Sequence, residues 1–90
     1  MTAYRIATDE REPCYINRLD EYDPHYAYGW CGTPEFALTF QGRAAAERAA
    51  QFIGNRMHTN GYGEAAALLR IVPKRGGAAT GWRYKQGATT

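Results

Sequence analysis

The chain has 90 residues, 44% hydrophobic and 22% charged, a composition that excludes wholesale disorder, while so short a chain buries only about 60–65% of its unfolded surface and supports one core. Its net charge of +2 is uneven: residues 1–35 hold seven acids and three bases, residues 36–90 two acids and eight bases. No apolar run of about eighteen residues occurs and Met1–Arg11 has no apolar stretch behind basic residues, so neither a membrane span nor a secretory signal is expected and the cytoplasm is the default compartment.

In chain order, Tyr4–Thr8 and Cys14–Leu19 are short runs rich in β-branched and aromatic residues, separated by the charged stretch Asp9–Pro13. They predict a β-hairpin with a polar loop. Asp20–Pro24 follows as a turn, because Asp favours chain reversal and Pro24 pushes Asp23 away from helical angles. His25–Cys31 alternates and predicts a strand, with Tyr26, Tyr28 and Trp30 on one side and His25, Ala27, Gly29 and Cys31 on the other.

Gly32–Glu35 carries a helix-start pattern, with Thr33 able to cap and Pro34 at the first helical position, which fits one turn through Ala37. A strand over Phe36–Phe40, with Phe36, Leu38 and Phe40 on one face, fits the same residues. From Gly42 to Met57, Ala46, Ala49, Ala50, Ile53 and Met57 recur at helical spacing, with Arg43, Glu47, Arg48, Gln51, Asn55 and Arg56 on the opposite side. This predicts an amphipathic helix whose alanine stripe allows close approach to a sheet, with Gly54 as its weak point. Asn60-Gly61 ends it, Glu64–Ala67 suits a helical turn, and Leu68–Val72, bounded by Pro73, predicts a buried strand.

The fold class expected is therefore α+β: an antiparallel sheet of three or four strands with one helix over about 42–57 on one face. Residues 1–75 are expected to form the domain. Residues 76–90 are glycine-rich, and there Trp82–Lys85 either pairs with the preceding strand as a hairpin or belongs to a frayed tail.

The residues available for chemistry are few. The chain has no serine, and Cys14, Cys31, His25 and His58 show neither a nucleophile–base signature nor a zinc spacing. Both cysteines are expected to be reduced, buried, apolar side chains. No cofactor or metal is expected, and the pattern points to binding rather than catalysis.

Two groups of residues suit a partner. Tyr22, Tyr26, Tyr28 and Trp30 form either a contact platform or core packing, with Tyr22 outside the alternation and thus the most exposed. Lys74, Arg75, Trp82, Arg83, Tyr84 and Lys85 interleave cations and rings, which suits phosphates and bases as well as a solvated terminal hairpin.

The segment Thr33–Phe40, followed by Arg43, Ala46, Glu47, Ala49 and Ala50 and then Leu69–Pro73, resembles small phage and mobile-element accessory proteins in which a hairpin precedes a helix and a final strand. Anti-CRISPR proteins include domains of this kind, and the resemblance implies stoichiometric occlusion of a host protein or nucleoprotein complex in the host cytoplasm. The net charge of +2 argues against mimicry of nucleic acid. The competing expectation is a small nucleic-acid-binding protein that uses the basic second half, and a thiol- or metal-dependent enzyme comes third.

Overall fold

The computed structural model describes residues 2–25 and 27–87. Strand β1 (Ala3–Thr8) is the hub of a five-stranded antiparallel sheet. Along one edge it pairs over nearly its full length with β5 (Leu69–Pro73), from Tyr4 opposite Pro73 to Thr8 opposite Leu69. The other edge is shared: β2 (Tyr15–Leu19) joins at Ala7 opposite Tyr15, and β4 (Phe40–Gln41) joins at Ala3 and Tyr4. β3 (Tyr28–Cys31) pairs with β2, with a register shift between Ile16 and Arg18. The expected α+β class, helix on sheet, is what is found, and the added strand is the two-residue β4.

Alternation along β1 sends Tyr4, Ile6 and Thr8 to one side and Arg5 and Ala7 to the other. The first side meets α1 (Arg43–Thr59), which packs against β1, β4 and β5. The predicted stripe Ala46, Ala49, Ala50, Ile53 and Met57 is buried there against Ile6, Ile16, Leu69 and Ile71. Each fully buried isoleucine or leucine contributes about 1.5–3 kcal/mol of transfer free energy.

The ends of α1 are set by glycines. Gly42 precedes the first turn at φ 88°, a backbone angle that side chains resist. At the other end Gly61, at φ 90°, lets the Tyr62 N–H donate to the Met57 carbonyl (2.8 Å) and the Gly61 N–H to that of His58 (3.0 Å), which satisfies carbonyls the helix leaves open. A short helix α2 (Gly63–Ala66) follows and packs on α1.

Between β3 and β4 both expected elements occur in shortened form. A 3-10 turn spans Pro34–Phe36, where the Thr33 hydroxyl makes no capping bond, and the Leu38 N–H then donates to the Ile16 carbonyl (2.9 Å) before β4 begins. Leu38 and Phe40 pack on the core, while Phe36 stays 75% exposed.

The C-terminal segment departs from both expectations. After β5 the chain turns back, and the Thr80 N–H donates to the Ile71 carbonyl (2.9 Å), but Trp82–Lys85 forms no strand. It lies instead across α1. A Cβ at Gly54 would come within 2.3 Å of the Tyr84 ring, so the glycine that weakens the helix opens the seat for that ring. Gln51, expected on the polar side of α1, is buried beneath this strap, where its amide donates to the Lys85 carbonyl (2.7 Å). The Tyr84 hydroxyl donates to Asn55 Oδ1 (3.1 Å). The cysteines differ from expectation too: Cys14, in the loop before β2, is exposed, and Cys31, at the end of β3 opposite Tyr15, is half-buried.

Candidate functional site

β3 presents Tyr28 and Trp30 to the same side of the sheet as α1, at the end of the layer where α1 gives way to α2. Their rings meet edge to face, centroids 5.9 Å apart at 80°, an arrangement favoured by the ring quadrupoles. Met57 from the last turns of α1, Tyr62 from the following turn and Leu68 close around them. Together they enclose a largely apolar cleft of about 370 Å³.

The rim of this cleft is polar. The Thr8 hydroxyl donates to Glu10 Oε2 (2.6 Å) and accepts the Cys14 N–H (2.9 Å), so the β1–β2 loop holds a carboxylate and an exposed thiol beside the rings. Tyr62 is 62% exposed, which leaves its ring free to contact another molecule. The arrangement offers apolar walls of fixed geometry to a bulky side chain and hydrogen-bond acceptors to whatever polar group that side chain carries.

The predicted residues separate into three places. Tyr28 and Trp30 pack against the core and also line the cleft. Tyr22 is 95% exposed in the turn between β2 and β3, outside the cleft, its N–H donating to the Asp20 carboxylate (3.1 Å). Tyr26 lies outside the described residues.

Lys74 and Arg75 stand just past β5 on the far side of the sheet, beside Arg5 and Gln41. Trp82 and Tyr84 pack against the core from the strap, Arg83 donates to the Thr80 and Trp82 carbonyls, and Lys85 is held by its backbone. The rings at 82 and 84 are half-buried against the core. Sequence reasoning did not single out Tyr62, Met57 or Arg5 as lining residues, because their placement depends on strand pairing and on the turn after α1.

Among the described residues, no group of three or more His, Cys, Asp or Glu side chains is placed to hold a metal ion, and no helix is long and apolar enough to cross a membrane. The fold and its clefts define a small α+β domain, a helix laid on an antiparallel sheet. No protein-family model matches the chain, and no curated protein or solved structure matches it either.

Proposed function

We propose that this chain is a non-catalytic binding protein that works in the cytoplasm by stoichiometric occlusion of a host protein or nucleoprotein complex, as small phage and mobile-element accessory proteins of the anti-CRISPR kind do. The observation that carries the reading is the Tyr28–Trp30 cleft. Interface energy concentrates in a few aromatic anchors and the pockets that receive them, and a 370 Å³ depression walled by Tyr28, Trp30, Met57 and Tyr62 is suited to one such anchor. The resemblance of residues 33–40, the α1 stripe and β5 to mobile-element proteins supports the biological setting.

Affinity capture from a host lysate, followed by calorimetry on the partner identified, tests this. One-to-one binding is expected, weakened at least tenfold by Tyr62→Ala, in line with the about 2 kcal/mol lost at an interface hot spot. Trp30→Ala should act in the same direction. Tyr62 is largely exposed, so its variant keeps the fold even where Trp30→Ala loosens the core. Retention of the partner by both variants, or its loss only through Tyr22→Ala, overturns the cleft as the contact.

A further inference from the structure

The face of the sheet opposite α1 carries two adjoining depressions that share Arg5 and Lys74. One, of about 640 Å³, is bounded by Thr2, Ala3, Arg5, Gln41, Lys74 and Arg75, with no carboxylate among its walls. The other, of about 360 Å³, runs over Ala7, Tyr15, Arg70 and Val72. Strand register explains why these side chains meet. Arg5 pairs with Val72, and Ala7 pairs with Arg70 on one edge and Tyr15 on the other, so alternation puts all five on the helix-free face.

The charges on this face are unevenly compensated. Ion pairs among the described residues engage Arg18, Arg43 and Arg70, the last with Asp9 at 3.4 Å, which leaves Arg5, Lys74 and Arg75 without a carboxylate partner. The Arg5 guanidinium donates one bond to the Lys74 carbonyl (3.2 Å), while its Nε is shut off from solvent and meets no acceptor. Asp9 and Glu10 lie at the far end of the track, where Arg70 and the Thr8 hydroxyl engage them.

We infer that this face binds single-stranded nucleic acid, with phosphates at Arg5, Lys74 and Arg75 and a base on the Tyr15 ring. The cluster of unpaired cations lines one depression and the Tyr15 ring the adjoining one, so phosphate and attached base each find a seat, which a lone anion would not need. From Lys74 to Arg70 is four residues of extended chain, about 13 Å at about 3.3 Å per residue, room for a few nucleotides. The depressions are concave and Tyr15 is half-buried at the floor, so the ring is reached by an unstacked base and not by a stacked duplex.

Fluorescence anisotropy of a labelled oligothymidylate across a salt series tests the inference on the intact chain. Three phosphate contacts predict a log–log salt slope of about −2, at about −0.7 per contact. The double variant Lys74→Gln/Arg75→Gln should weaken binding at least tenfold and flatten the slope to about −0.7. Tyr15→Ala should weaken it about tenfold and leave the slope unchanged. Tyr62→Ala, on the other side of the molecule, should change nothing, which separates this surface from the aromatic cleft. Four results overturn the inference: no binding at low salt, indifference to the double variant in a protein whose circular dichroism is unaltered, equal binding of a blunt duplex, or displacement by millimolar inorganic phosphate alone.

Discussion

Neighbouring residues of β1 lead opposite lives. Ile6 is sealed beneath α1 with Ile16, Ile53 and Ile71, while Arg5, one position earlier, shares the helix-free face with Tyr15, Val72 and Lys74. The same backbone holds both, and the pleat alone decides which side chain feeds the core and which stays on the open face. Stability is therefore concentrated on one face of the sheet, and the other is free to carry charge.

The sharpest way to break that comparison is Ile6→Ala, which leaves a cavity at the centre of the core. A loss of about 2–5 kcal/mol is expected, a large share of the about 5–15 kcal/mol that holds a small domain together. Urea unfolding followed by circular dichroism measures it, and a loss below about 1 kcal/mol would show that β1 is not the hub.

A smaller effect is expected at the strap. Gly54→Ala improves helix propensity by about 1 kcal/mol, but the new methyl group occupies the seat of the Tyr84 ring. Displacing that ring exposes apolar surface and breaks its bond to Asn55, together about 2 kcal/mol. The net result should be a loss of about 1 kcal/mol, with faster amide exchange and proteolysis confined to residues 80–86. A more stable protein with an unchanged strap would refute the account of Gly54.

The smallest effect belongs to the open face. Arg5→Leu removes a charge and an unpartnered donor without touching the core, so stability should stay within about 0.5 kcal/mol of the parent. Oligonucleotide affinity should fall. Such a split would confirm that adjacent residues of one strand serve separate ends.

The elements that the sequence made legible are those with local periodicity. The stripe of α1 is written at helical spacing from Ala46 to Met57, and the alternation in His25–Cys31 already placed Tyr28 with Trp30. Short elements were ambiguous for a physical reason: Pro34–Gln41 holds a three-residue 3-10 turn, shorter than one helical period, and a two-residue strand, no longer than a single strand period, so neither pattern can repeat. The cysteines were misread because the general tendency of thiols to be buried says nothing of a loop such as the one holding Cys14 or of the end of an edge strand, where Cys31 sits. Of the two candidate surfaces, the aromatic cleft was half visible in Tyr28 and Trp30, whereas its Met57 and Tyr62 walls come from another element.

By itself, then, the sequence determined the helix, the faces of the strands and the excess of cations in the second half, because each follows from the spacing of neighbours along the chain. Only the tertiary structure decided that β1 sits between β5 on one edge and β2 with β4 on the other, that Tyr84 settles on Gly54, and that Arg5 lies against Lys74, 69 residues away. Those outcomes depend on strand pairing and on the fit of side chains across elements, and no local pattern encodes which distant partner completes a core or a cluster of charge.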